Sequence, residues 1–208
     1  GANLVSFNVL PGDVSIVEVL NSLEFNANGI IGEGTAATYL ESGIWVGSLT
    51  QINGQDGYWL MLDGEDILLI VGEPTERGVY ELHTGNNLIS YPYRYPTPIT
   101  DAIPDDVEPL FIGVIGEGVA ASQIAPFNWV GSLSEWSGTK GYWAKIQDDL
   151  SFIFNPPDLS YQNEEYYTVP IDYEQSMEQA FYFVKEIQID GVDHSNYDIQ
   201  VFCNGVLV

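Results

Sequence analysis

One block of this sequence occurs twice at a single spacing, which commits most of the chain to two copies of one fold. Ile31-Gly32-Glu33-Gly34, Ala36-Ala37, Trp45-Val46-Gly47-Ser48-Leu49 and Gly57-Tyr58-Trp59 return as Ile115-Gly116-Glu117-Gly118, Ala120-Ala121, Trp129-Val130-Gly131-Ser132-Leu133 and Gly141-Tyr142-Trp143. Each pair is 84 positions apart, and the same shift lays Asn3-Leu4 and Ser6 on Asn87-Leu88 and Ser90. Self-similarity at a fixed period is the signature of tandem copies of one structural unit. Gly1 falls on Gly85, which follows Tyr80-Glu81-Leu82-His83-Thr84, a strand and connector closing the first copy. The alignment therefore expects a repeat boundary at Gly1 and leaves room for further copies ahead of it.

Within the first copy, residues 1–84, Leu4 to Phe7 reads as a short strand and Pro11-Gly12-Asp13 as a turn. Ile16, Val19, Leu20 and Leu23 have the spacing of one helical face, with Asp13 or Ser15 as the cap. Ile30-Ile31, Ile44 to Leu49, Tyr58 to Leu62, Ile67 to Val71 and Val79 to Leu82 are β-rich runs separated by glycine-bearing turns. The second copy, residues 85–155, puts Ile99 to Ile103 where the helix stood, and Pro98, Pro104 and Pro109 shorten it to a turn or two. Its last strand, Leu150 to Phe154, aligns with Ile67 to Val71 after deletion of one residue.

The pattern predicts a mainly β fold: two tandem β-sandwich or barrel-like modules, each with one short helix covering an end. Asn155-Pro156-Pro157-Asp158 reads as a rigid linker. A third segment, residues 156–208, carries a strong strand sequence at 178–189. It closes on a hairpin, Ile199 to Cys203, then Asn204-Gly205, then Val206-Leu207-Val208, with the residues favoured in a type I′ turn. About 50 residues of β-structure make a thin core, so this Ig-like segment reads as incomplete. Either the segment is truncated or a partner strand completes it; in the second case the strand is expected beside Val206, Leu207 and Val208, the predicted assembly site.

Thirty acidic residues against five basic ones give a formal net charge of −25. Phosphate recognition needs clustered Lys and Arg, so a nucleic-acid-binding face is excluded, and an anionic membrane surface is disfavoured. An acidic shell suits a salty or calcium-containing exterior, where a short Debye length screens self-repulsion. Cys203 is the one cysteine, which forbids an internal disulfide. No stretch reaches the roughly 20 apolar residues of a membrane-spanning helix. The opening Gly1-Ala2-Asn3 reads as the start of a processed or excised product.

Trp45, Trp59, Trp129 and Trp143 could stack on sugars, but their equivalent places inside apolar strands favour core packing. Trp136, opposite Ile52 in the first copy, is ambiguous. Tyr91, Tyr93 and Tyr95 alternate and so line one strand face, better read as packing than as an exposed ribbon. Asp63, Glu65 and Asp66, then Asp105, Asp106 and Glu108, then Asp148 and Asp149 form acidic groups. A glycosidase needs two carboxylates about 5–10 Å apart across a cleft, a relation that spacing alone does not establish. His83 and His194 stand in no triad pattern, and metalloprotease and phosphate-loop motifs are absent. Asp190, Asp193 and Asp198 gather oxygen ligands that calcium accepts, without the order of an EF-hand. A polar turn explains the same residues, so calcium is a secondary expectation and no other cofactor is predicted. Gly32-Glu33-Gly34 and its copy read as turns whose glutamates hold local backbone donors.

Asn87-Leu88-Ile89-Ser90-Tyr91-Pro92 with Gly141-Tyr142-Trp143, and Asn3-Leu4-Val5-Ser6-Phe7 with Gly57-Tyr58-Trp59, resemble a β-rich module of many secreted and surface-anchored microbial proteins. The form with Gly-Glu-Gly, Ala-Ala and Trp-Val-Gly-Ser-Leu is similar to a tandem repeat of uncharacterised marine microbial and phage proteins. There it belongs to large extracellular or virion-associated chains. Gln179 to Phe183 with Asn204-Gly205 is similar to another module of such chains. The resemblance implies class and location, and carries no activity or site. The expectation is a non-enzymatic structural or adhesive β-repeat protein of an extracellular filament, cell-surface layer or virion fibre. Its partners are other copies of itself or a larger assembly, with no membrane insertion. The rival expectation is a carbohydrate-binding array attached to a larger surface protein or enzyme, with a glycan as partner.

Overall fold

A computed structural model describes residues 1–23, 25–75 and 78–158, and the backbone of four two-residue strands beyond them. Gly1–Leu159 form one compact unit and Ser160–Val208 a second. The first repeat is built from β1 (Ala2–Ser6), β2 (Val9–Leu10), α1 (Ile16–Val19), β3 (Ala27–Gly32), β4 (Thr35–Leu40), β5 (Ile44–Gly47), β6 (Gly57–Leu62) and β7 (Glu73–Pro74). After β8 (Tyr80–Leu82) come β9 (Gly85–Ile89), β10 (Thr97–Pro98), α2 (Ile99–Ala102), β11 (Phe111–Gly116), β12 (Val119–Ala125), β13 (Asn128–Gly131), β14 (Glu135–Trp136), β15 (Tyr142–Ile146) and β16 (Leu150–Phe152). Among the described residues the chain is mainly β with two short α-helices, as the pattern of its sequence predicts.

Each repeat folds into a five-stranded antiparallel sheet, in the order β1-β6-β3-β4-β5 and again β9-β15-β11-β12-β13. The 84-residue shift maps one sheet onto the other strand by strand. One face of the first sheet presents Tyr58, Leu60, Ile30 and Ala37 to Ile16, Val19, Leu20 and Leu23, all buried. In the second, Tyr142, Ala144, Val114 and Ala121 meet Ile99, Ala102, Ile103 and Trp136. Two cores in sequence order thus lie within one compact unit.

The first helix follows its predicted face but is shorter than the predicted run. Ser15 Oγ accepts the N–H of Glu18 at 3.3 Å, which makes Ser15 the cap, and Asp13 Oδ1 accepts the N–H of Ser15 itself at 2.9 Å. The run breaks at both ends. Ile52 donates to the Val14 carbonyl at 2.8 Å and Ile16 to that of Thr50 at 3.1 Å, so sheet-like pairing claims its start. A 3-10 turn at Asn21–Leu23 takes its end.

The repeated motifs each solve a local packing problem. Gly47 and Gly131 kink the chain over β4 and β12, where an added Cβ would lie 2.1 Å from the Ala36 and Ala120 carbonyl oxygens. Both hold positive φ, 158° and 149°, at the edge of the range that excludes side chains. Just past the kinks, Ser48 Oγ and Ser132 Oγ accept the N–H of Ala36 and Ala120, each at 3.2 Å. Leu49 and Leu133 then plug the cores at 7% and 8% exposure. Tyr58 and Tyr142 are buried with their hydroxyls accepting the N–H of Asn53 and Ser137, both at 2.8 Å.

The repeats differ in the strands added to these sheets. In the first, β2 pairs with β7, whereas the corresponding residues 93–94 and 157–158 form no strand. β8 pairs antiparallel with β16, Leu82 opposite Leu150 and Tyr80 opposite Phe152. Tyr80 and Leu82 close the first copy in sequence, yet they belong to the second core. In the first repeat, Leu68 and Ile70 pack partly against the core while Ile67, Leu69 and Val71 are 81%, 69% and 81% exposed. Burial alternates as in a strand, but no strand pairs with this segment among the described residues. Leu68 and Ile70 lie 84 positions before the buried Phe152 and Phe154, so the repeat continues in phase and needs no deletion. Five consecutive aliphatic residues, Ile67 to Val71, conceal that phase in the sequence.

In the second unit, β17 (Gln188–Ile189) pairs with β18 (Val192–Asp193), and β19 (Phe202–Cys203) with β20 (Val206–Leu207). Of the long strand predicted at 178–189, only Gln188–Ile189 falls on described residues. Of the predicted terminal hairpin, only the pairing of Phe202–Cys203 with Val206–Leu207 falls on described residues, and Asn204-Gly205 lie outside them.

Candidate functional site

The turn glutamates bind backbone donors, but of the other repeat. Glu33 follows β3 in a two-residue turn completed by Gly34, at φ 69°, and Glu117 stands likewise before Gly118, at φ 71°. Glu33 Oε2 accepts the N–H of Leu88 at 2.8 Å, and Glu117 Oε2 accepts the N–H of Leu4 at 3.0 Å. The expectation of local donors is corrected: each hairpin points its glutamate at the first strand of the opposite sheet.

The surrounding contacts are reciprocal in the same way. Ser90 donates its N–H to the Gln55 carbonyl at 3.0 Å, and Ser6 donates to that of Thr139 at 3.2 Å. Asp56 bridges to Ile89, and Lys140 to Val5. Each pair maps onto the other by the shift of 84, so the repeats meet as an isologous pair does, with one patch used twice. Gly57 and Gly141 lie on this seam. A Cβ there would come 2.8 Å from the Ile89 carbonyl oxygen or 2.7 Å from that of Val5. This is why the Gly-Tyr-Trp motif opens on glycine.

His83 breaks the symmetry. Its Nε2 lies 2.6 Å from Glu33 Oε1, the single ion pair among the described residues, while Nδ1 reaches the Thr84 carbonyl at 2.9 Å. The Thr84 carbonyl and then Glu33 raise the imidazole above its ordinary value. Glu33, Asn53, Asp56, Tyr80, His83 and Asn87 border a cleft along the seam. Burial pushes the Asp56 carboxyl up, and the nearby Glu33 charge adds to it. Both oxygens of Glu33 are occupied, Oε2 by Leu88 of the other repeat and Oε1 by His83.

The repeated tryptophans divide into two kinds. Trp45 and Trp129 pack against the cores, and Trp129 donates Nε1–H to Glu108 Oε1 at 2.6 Å. Trp59 and Trp143 are half-buried and alternate with core residues, so they project from the opposite sheet face. There Trp59 is flanked by Leu4 and Ile31, and Trp143 by Leu88 and Ile115. The expectation of core packing is corrected for this second pair. A period of two fixes opposite faces, and Tyr58 and Tyr142 had already taken the inner one. Both outer faces carry further exposed apolar residues, among them Ile44, Val46, Ile124 and Val130. Trp136 is fully buried, stacked on Tyr91, with no partner for its Nε1–H among the described residues. Tyr91 and Tyr93 are buried in the second core and Tyr95 is 40% exposed.

Within the acidic groups, Asp66, Asp149 and Glu108 accept hydrogen bonds. Asp66 accepts from Asn26 Nδ2 and from the Ile67 N–H, which lower its carboxyl. Asp149 Oδ1 accepts the N–H and the hydroxyl of Thr84, with the same effect. Glu108 is 1% exposed, and burial raises it despite the Trp129 bond. No set of three or more His, Cys, Asp or Glu is placed to hold a metal among the described residues. Asp190, Asp198 and Val208 lie outside those residues, as do the side chains of Asp193, Val206 and Leu207. No helix among the described residues is long and apolar enough to cross a membrane.

No protein-family model matches the chain, and no curated protein or solved structure shows significant similarity to it.

Proposed function

We propose that this chain is a non-enzymatic structural β-repeat protein that assembles through its modules in an extracellular filament, cell-surface layer or virion fibre. The reciprocal seam carries this reading: the repeats adhere through one patch used twice, with Glu33 on Leu88 and Glu117 on Leu4. A unit that binds its own kind is the elementary step of a modular array. The exposed apolar outer faces, bearing Ile31, Val46, Ile115 and Val130, offer further area for association, since apolar patches on otherwise charged proteins mark interaction sites. Sedimentation and electron microscopy of the purified chain across salt concentrations test the proposal. Ordered oligomers or fibres are expected at high salt, where the charge of −25 is screened. A monomer at every salt and protein concentration would sink it.

Trp59 and Trp143 favour a second reading. Each projects from the face opposite a core beside an exposed isoleucine, the setting of an aromatic platform for sugar rings. Under it, the chain is a carbohydrate-binding array. Glycan-array signals that vanish in Trp59→Ala and Trp143→Ala would establish this alternative.

A further inference from the structure

Among the described residues, the second repeat receives a strand that the first does not. Residues 80–84, directly ahead of Gly85, are held by four receptors. β16 pairs with Tyr80–Leu82. Asn87 accepts the N–H of His83 at 2.9 Å and donates to its carbonyl at 2.8 Å. Asp149 Oδ1 takes the N–H and the hydroxyl of Thr84 at 2.7 and 2.8 Å. Ser90 Oγ meets the Tyr80 hydroxyl at 2.7 Å.

Shifted by 84, these receptors are residues 66–68, Asn3, Glu65 and Ser6, all at the head of the first repeat. Gly1, Asn3, Leu62, Gly64, Glu65 and Asp66 line a groove there. The Leu69 N–H is taken by Ser22 Oγ at 2.9 Å. Alternate N–H groups of a strand face opposite edges, so those of Leu68 and Ile70 face away from Ser22. On that side no strand runs among the described residues.

We infer that this groove is a strand-docking site, and that its occupant is the closing strand of a further repeat joined directly ahead of Gly1. The strand lies antiparallel on residues 66–68, in the register of β8 on β16. An open edge supplies main-chain hydrogen bonds, and the alternating inward side chains supply selectivity. Tyr80 stands 5.4 and 4.9 Å, ring to ring, from Phe152 and Phe154. The corresponding incoming aromatic meets Leu68 and Ile70, with Ser6 Oγ placed for its hydroxyl. The choice of occupant rests on the reading of the chain as an assembling repeat protein.

Fusing Tyr-Glu-Leu-His-Thr ahead of Gly1 of the full chain tests this, against the same extension with its Tyr and Leu replaced by Lys. The native-type extension is expected to raise the melting temperature by about 4 °C or more and to slow amide exchange at Leu68. Equal melting temperatures and equal exchange for the two extensions would overturn the inference. Should the fusions not fold, the acetylated pentapeptide titrated into the unextended chain replaces them. Saturable NMR shifts at Asn3, Ser6 and Leu68 support docking, and their absence at millimolar peptide refutes it. Sedimentation of the unextended chain reports separately on assembly, so either idea can fail without the other.

Discussion

Glu33 reaches 55 positions along the chain to accept the N–H of Leu88 through Oε2 at 2.8 Å, and that bond makes one body of two repeats. Glu117 returns the same bond to Leu4 at 3.0 Å. Removing either carboxylate strands a backbone donor at the seam, which costs about 1–3 kcal/mol. Glu33→Ala is expected to destabilise more than Glu117→Ala, because Glu33 also holds His83. Urea denaturation of the single and double variants checks this order, and equal effects would contradict it.

The His83 imidazole gives the seam a pH dependence. Its folded-state value is raised, first by the Thr84 carbonyl and then by Glu33. The folded chain therefore binds the proton more tightly than the unfolded one, so the added stability is complete below the unfolded value. It is lost as pH rises through the folded value. An NMR titration is expected to place His83 above about 6.5, and Glu33→Gln to lower it. A value unmoved by that substitution would leave Glu33 without the assigned effect.

Glu108 shifts stability in the same direction with pH, but from a different cause. Burial raises its carboxyl, so ionising it costs more in the folded state, and stability falls as pH climbs from the unfolded value through the folded one. Glu108→Gln keeps an oxygen acceptor for Trp129 Nε1–H and removes the buried charge. The variant is expected to be at least as stable as the parent at pH 7, with a flatter pH profile between pH 4 and 7. Thermal melts followed by tryptophan fluorescence measure both, and a marked loss of stability would contradict the assignment.

Gly47 and Gly131 admit no side chain, since a Cβ would lie 2.1 Å from a backbone oxygen. Gly47→Ala and Gly131→Ala are each expected to cost about 2 kcal/mol or more. Gly34→Ala meets open space and pays only for its φ of 69°, about 1 kcal/mol. Denaturant midpoints should rank the three accordingly; a Gly34 variant as damaged as the others would show that the kink is not what the glycines protect.

Much of the fold was legible because its determinants are local. The inward face of Ile16, Val19, Leu20 and Leu23, the cap at Ser15, and the β-rich runs all follow from side-chain period and turn chemistry. The outward turn of Trp59 and Trp143 was concealed because an apolar strand does not announce which face its sheet buries. The phase of Ile67 to Val71 was hidden for the same reason, since five aliphatic residues carry no alternation. The seam left no signal of its own. Glu33 and Glu117 look like any turn acids until the opposite sheet supplies Leu88 and Leu4.

By itself, the 84-residue repeat determined that two copies of one β-fold exist and which glycines, serines and leucines recur in each. These depend on backbone sterics and burial period, which act over a few residues and are written in residue type. Only the tertiary structure decided how the copies meet and that Tyr80 and Leu82 belong to the second core, on an edge whose counterpart in the first repeat pairs with no strand among the described residues. Those relations join residues dozens of positions apart, and most of their bonds run to main-chain N–H and C=O groups. Every residue but proline carries the same pair, so no sequence distinguishes which of them will pair.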